Sequence, residues 1–148
     1  MMLSRRTEDY LRTILEIVEE KGYARVKDIA KKMKVSLPTV TEMLKKLDNK
    51  KLVTYEKYGG VTLTPQGKEI AKSIKIRHDT FIKFLKLILV PEDIAEKDAH
   101  ELEHRLSPKT IEQLTKFVDF ITQNQPKPEF TKRWLNLFKN YCESTETQ

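Results

Sequence analysis

The sequence predicts a mainly α-helical chain divided into two small domains, and three observations predict it. Apolar residues recur at helical spacing from Leu11, Ile14, Leu15 and Val18 to Phe130, Trp134, Leu137, Phe138 and Tyr141. Only four Gly and six Pro occur in 148 residues, and 34% of the side chains are charged, which suits packed helices better than a sandwich of strands or a disordered chain. The charge also divides: residues 1–77 carry 18 Lys/Arg against 10 Asp/Glu, whereas residues 78–148 carry 10 against 12. The expected domains are 1–75 and 76–148, with a fourth helix continuing as a linker to about residue 90.

Each element has its own signal. Thr7 is placed to cap a first helix, with Glu8 and Asp9 in the first turn and Gly22 at the end. In a second helix Val26, Ile29, Ala30 and Met33 share one face. After the short break Lys34-Val35, Ser36 reads as an N-cap and Pro38 fits a first turn. The third helix is expected to turn Leu37, Val40, Met43, Leu44 and Leu47 inward. Residues 52–58 and 61–64 read as strands around a Gly59-Gly60 turn, a hairpin signal. Pro65-Gln66-Gly67 opens the long fourth helix through Ile70, Ile74, Phe81 and Leu85.

The second domain is expected to hold a helix from 91 to about 106 and another opened by Ser107-Pro108. The latter carries an apolar stripe of Ile111, Leu114, Phe117, Val118 and Ile121, expected at a dimer interface. Residues 124–128 read as a linker to a last helix around Trp134, whose stripe is too apolar to stay wet.

Helix, short turn, helix and Gly-tipped hairpin is the order of a winged helix-turn-helix. The basic first half predicts a polyanion partner, and the motif makes it double-stranded DNA. Ser36, Pro38, Thr39, Thr41 and Glu42 are expected at base edges. Lys45, Lys46 and the hairpin's Lys57 suit phosphates, with Arg25 and Lys27 as auxiliaries.

All three histidines fall between His78 and His104. Glu96, His100, Glu103 and His104 would share one face of a helix, gathering two carboxylates and two imidazoles. Such an N/O donor set suits Mn(II), Fe(II), Co(II) or Zn(II). The single Cys142 provides no disulfide framework and no thiolate zinc site. There is no signal-peptide core, and the longest apolar stretch, 84–90, is broken by Lys86, so a cytoplasmic protein is expected. Phosphate-binding Gly loops, an HExxH arrangement and a nucleophile elbow are absent, which argues against an enzyme.

From about Thr7 to Ile121 the chain resembles the diphtheria toxin repressor family, in its shorter manganese transport regulator branch, which lacks an SH3-like domain. The residues that carry this are Thr7-Glu8-Asp9-Tyr10-Leu11, Glu19 to Val26, Ser36 to Thr41, Tyr55 to Gly60, Arg77-His78 and Leu102 to Ser107. The resemblance implies a homodimeric, metal-activated repressor of palindromic operators in metal-uptake genes, with Mn(II) or Fe(II) as the first candidates and Co(II) or Zn(II) behind them. By matching position, the ligands would be Asp9, His78, His100, Glu103 and His104. Three positions depart from the branch: Arg12 and His100 stand where it has Glu, and Ile82 where it has a further carboxylate. One well-formed site is therefore expected, with a weaker second using His78 and Glu96. The alternative is a winged-helix regulator sensing a non-metal ligand, with a structural His cluster.

Overall fold

The computed structural model describes residues 3–124 and 126–146. The chain forms two compact units, Met1–Ile76 and Arg77–Gln148. In the first lie α1 (Arg5–Lys21), α2 (Val26–Met33), α3 (Leu37–Asn49), β1 (Val53–Glu56) and β2 (Gly60–Leu63), and α4 (Pro65–Leu87) begins there. In the second, the end of α4 is followed by α5 (Glu92–Leu102), α6 (Pro108–Asp119), a π-helical turn (Phe120–Asn124) and α7 (Pro128–Glu146).

In the N-terminal unit the apolar faces close on one another. Tyr10, Leu11, Ile14 and Leu15 of α1, Ile29 of α2 and Val40 and Leu44 of α3 are all fully buried. Val61 of β2 and Ala71 of α4 join the same cluster. The cap of α1 is Ser4 rather than Thr7: the Ser4 Oγ accepts the Thr7 N–H at 3.1 Å, which puts Thr7, itself buried, inside the first turn. Gly22 ends α1 at φ 89°, with its N–H donating to the Val18 carbonyl at 2.7 Å. Lys34 makes the turn between α2 and α3 in the left-handed conformation, and Ser36 caps α3 through the Thr39 N–H. Leu37 departs from expectation. It lies in the first turn of α3, beyond the reach of the core, and is 53% exposed.

Strands β1 and β2 pair antiparallel, with Val53 opposite Leu63 and Glu56 opposite Gly60. Ala24 adds a bridge on the other side of β2, exchanging N–H···O bonds of 3.0 and 2.7 Å with Val61. The hairpin base is tied to the start of α4. The Thr64 hydroxyl donates to the Lys51 carbonyl at 2.7 Å and accepts the Gly67 N–H at 3.0 Å. Gly67 lies against this knot so closely that a Cβ there would fall 1.8 Å from the Leu52 carbonyl oxygen.

The C-terminal unit has a smaller core of Phe81, Leu85, Ala95 and Ala99, with Leu102, Leu106, Ile111 and Leu114 packed on it. Helix α5 stops at Leu102, four residues short of the expected end, because the chain tightens there: the His104 N–H reaches Glu101 and the Arg105 N–H reaches Leu102. The residues of the stripe expected at a dimer interface differ in burial. Ile111 and Leu114 pack on the unit's own core and Val118 is buried, whereas Phe117 stays 49% exposed and Ile121 half-buried. Residues 120–124, whose last residue was expected in a linker, extend α6 as a π-helical turn in which the Thr122 hydroxyl donates to the Val118 carbonyl. Helix α7 buries none of its side chains.

Candidate metal centre and nucleic-acid interface

Glu103, at the C-terminal cap of α5, is turned inward. Its side chain is fully buried, and one carboxylate oxygen, Oε2, shares a hydrogen bond of 2.6 Å with His78 Nδ1 of α4. The other oxygen, Oε1, is buried without a hydrogen bond, although His104 Nε2 lies 3.2 Å away. Distance without hydrogen-bond alignment is what two lone pairs directed at a shared cation would give. The rings of His100 and His104 meet edge to face with centroids 5.3 Å apart. Donor atoms of His100, Glu103 and His104 all lie within 4.8 Å of one another. Two imidazoles and a carboxylate oxygen without a donor fit a divalent transition metal.

The remaining predicted ligands stand as follows. Asp9 is half-buried on α1, in the N-terminal unit. His78 is held by Glu103 and lies outside the gathered donors. Glu96 also lies outside them and is exposed on α5. A second cluster of three or more such groups is absent among the described residues. Arg12 is bonded to Glu16 at 3.1 Å, and Lys32 reaches the other oxygen of that carboxylate at 2.9 Å. Burial pushes the Glu16 carboxyl up, but Lys32 and Arg12 outweigh it and hold the carboxyl below the usual glutamate range.

The predicted DNA-contacting residues lie on α2, α3 and the hairpin. Ser36, Pro38, Glu42, Lys45, Lys46, Arg25, Lys27 and Lys57 are exposed, and Thr39 and Thr41 are half-buried. Ser36 and Thr39 share a hydroxyl–hydroxyl bond of 2.7 Å, so both are partly engaged in capping. A concave surface runs from Leu37 and Thr41 of α3 across Arg25 and Lys27 to Lys57 and Tyr58 at the hairpin tip. Among its members that the sequence did not point to are Leu37, Tyr23 and Tyr58. Leu37 was assigned to the core, and Tyr23 and Tyr58 were passed over as ordinary turn and strand residues. Each tyrosine carries a cation near its ring, Arg25 at 5.5 Å from Tyr23 and Lys57 at 5.6 Å from Tyr58. A Tyr beside a Lys or Arg at a turn was the available signal.

Residues 2–61 match the family model described as the iron dependent repressor, N-terminal DNA binding domain. Residues 64–129 match the iron dependent repressor metal binding and dimerisation domain. The chain belongs to the iron-dependent repressor family. Within it, the HTH-type transcriptional regulator MntR of Bacillus pumilus is 41% identical over 120 residues, covering 81% of this chain and 83% of that protein. MntR of Bacillus subtilis is 38% identical over 125 residues, covering 84% and 88%. Among solved structures, the manganese regulator SloR superposes with a TM-score of 0.67 at 36% identity, covering 81% of this chain but 55% of SloR. A manganese-dependent transcriptional repressor in complex with manganese gives 0.69 at 29% identity, over 77% of this chain and 53% of that one. The chain thus spans about half the length of these solved regulators and most of the length of the MntR relatives. It is a member of the shorter manganese transport regulator branch. No helix among the described residues is long and apolar enough to cross a membrane.

Proposed function

We propose that this protein is a metal-activated, homodimeric transcriptional repressor that acts on palindromic operators of metal-uptake genes. The observation that carries the reading is the buried Glu103 carboxylate, held by His78 on one oxygen and left with its other oxygen beside His100 and His104. The relatives named MntR and the manganese regulators of like fold support Mn(II) as the first candidate, with Fe(II) next and Co(II) or Zn(II) behind. His100, Glu103 and His104 would hold the ion, and Asp9, a carboxylate matched in the family from α1, is the fourth ligand we assign. Divalent charge bound there neutralises the buried carboxylate and joins groups distant in sequence. His78 positions Glu103 by fixing one of its oxygens. The chain acts on DNA as a binding protein rather than a catalyst.

Reciprocal coupling follows: a metal that favours the DNA-binding arrangement must itself bind more tightly when operator is present. The test is a titration of a palindromic operator against protein at fixed free Mn(II), Fe(II), Co(II) or Zn(II), with a metal-free control. The expected gain with the activating metal is about 5- to 150-fold in affinity. Each phosphate-contacting lysine removed, such as Lys57→Ala, lowers the slope of log K against log salt by roughly 0.9. Equal operator affinity with and without metal would overturn the metal half of the proposal.

A further inference from the structure

Helix α3 carries an acid on a face where cations would be expected. Residues 1–77 hold 18 Lys/Arg against 10 Asp/Glu, yet between Leu37 and Leu47 the helix places Glu42 beside Lys45 and Lys46. Val40, Leu44 and Leu47 are buried in the core. Pro38, Glu42 and Lys45, spaced at i, i+4 and i+7, therefore share the outward face, and all three are exposed. Lys46 stands four residues after Glu42, the orientation in which a Glu–Lys pair stabilises a helix. On α6 the same spacing closes at 2.7 Å between Glu112 and Lys116. On α3 it does not close: among the described residues the Glu42 side chain has neither an ion-pair nor a hydrogen-bond partner.

An unpartnered carboxylate limits what this face can touch. Phosphate oxygens repel it, so Glu42 cannot serve as a backbone contact. A hydrogen-bond donor on a base edge suits it, and the major groove offers two, the amino groups of cytosine and adenine. Adenine N6 is flanked by the N7 acceptor, whose lone pair would face a carboxylate oxygen, whereas cytosine presents its N4 donor with no acceptor beside it. The guanine paired with that cytosine presents O6 and N7, acceptors that suit a lysine ammonium. Lys45 lies three residues from Glu42 on the same face, a spacing of about 5–6 Å between Cβ atoms.

We propose that Glu42 is a specificity-determining residue that selects a cytosine in the major groove by accepting a hydrogen bond from its N4 amino group. The inference rests on the DNA-binding reading and deepens it by assigning one base to one side chain.

The experiment is selection from a pool of random-sequence duplexes by the full chain with Mn(II), Fe(II), Co(II) or Zn(II) in excess. It is run with wild type, Glu42→Gln and Glu42→Ala, and affinities are then measured on the selected duplex and its single-base variants. Wild type should enrich cytosine at one position of each half-site. Replacing that cytosine by thymine, or by a pyrimidinone base that lacks the N4 amino group, should weaken wild-type binding about 5- to 150-fold. For Glu42→Ala the same replacements should no longer matter. Glu42→Gln should enrich adenine at that position, because its amide matches adenine N6 and N7. Far-UV circular dichroism should stay helical in both variants, since Glu42 is exposed. The assignment is overturned if Glu42→Ala enriches the same bases as wild type at every position. It is equally overturned if that variant binds all duplexes more tightly by one common factor, because the acid then only repels the backbone. A wild-type chain that enriches no sequence with any of the four metals would overturn the DNA-binding reading itself, a result distinct from these.

Discussion

The two units solve the same packing problem in opposite ways. The N-terminal unit folds three helices, a hairpin and the start of α4 around one cluster of sixteen buried apolar residues, whereas the C-terminal cluster has four among the described residues. The second unit keeps aromatic side chains on its surface and a carboxylate in its interior. A small domain that buries little of its apolar surface must gain stability from outside its own chain segment. The difference teaches where regulation can enter. The self-contained unit supplies a fixed shape for reading DNA, and the other unit depends on conditions: subunit concentration and a bound cation.

The contrast can be broken most severely at Gly67. Gly67→Ala sets a methyl group against the Leu52 carbonyl, and the backbone of either the hairpin base or α4 must move. The expected cost is roughly 3 kcal/mol or more, read as a loss of unfolding free energy in urea whether or not metal is present. A loss below about 1 kcal/mol would mean that the N-terminal unit is less tightly constrained than its packing shows.

Glu103→Gln tests the other unit. It keeps the shape and removes the charge, so direct metal titration should show binding weakened by at least 10-fold. In wild type, metal at 100 times its dissociation constant adds about 2.7 kcal/mol to unfolding, and the variant should lose most of that increment. Metal-free stability falls far less than in the Gly67 variant. An unchanged metal affinity would remove Glu103 from the site.

The smallest effect concerns Glu16 and its two cations. Its folded pKa lies below the unfolded one, so its contribution to stability is present above the unfolded value and lost as pH falls through the folded value. Glu16→Gln should therefore lower stability by no more than about 1 kcal/mol at pH 7 and leave it unchanged at a pH below the folded value. An equal loss at both pH values would point to packing rather than charge.

Much of this was legible in the sequence wherever a residue type has few alternatives. Ser36 before Leu37-Pro38 and Gly22 after a periodic run point to α3 and to the end of α1, and two β-prone segments around glycines point to a hairpin, although its turn falls at residues 57–59 and Gly60 already belongs to β2 rather than to the expected Gly59-Gly60 turn. The grouping of His100, Glu103 and His104 was also readable, because positions i, i+3 and i+4 share one face of a helix, whereas the burial of Glu103 was not. What periodicity could not show is which surface covers a stripe. Val118 is buried and Ile111 and Leu114 are partly buried against their own unit's core, while the α7 residues remain exposed. Nor could it show where a helix tightens. The i→i−3 bonds from the His104 and Arg105 N–H groups end α5 before its expected length, and Glu96 stays exposed outside the donor group it was expected to join. The true cap of α1 was hidden because Ser4 and Thr7 are both good cap residues three positions apart, and the apolar spacing fits either.

The knot at Thr64 and Gly67 has a mechanical consequence. It clamps the base of the hairpin to the first turn of α4, so that turn cannot tilt without taking the hairpin with it. From there α4 runs unbroken for 23 residues and carries His78 in its second half. Any tilt of that first turn is therefore also a tilt of the hairpin: the strands, the Thr64 hydroxyl and the opening of α4 move as one body.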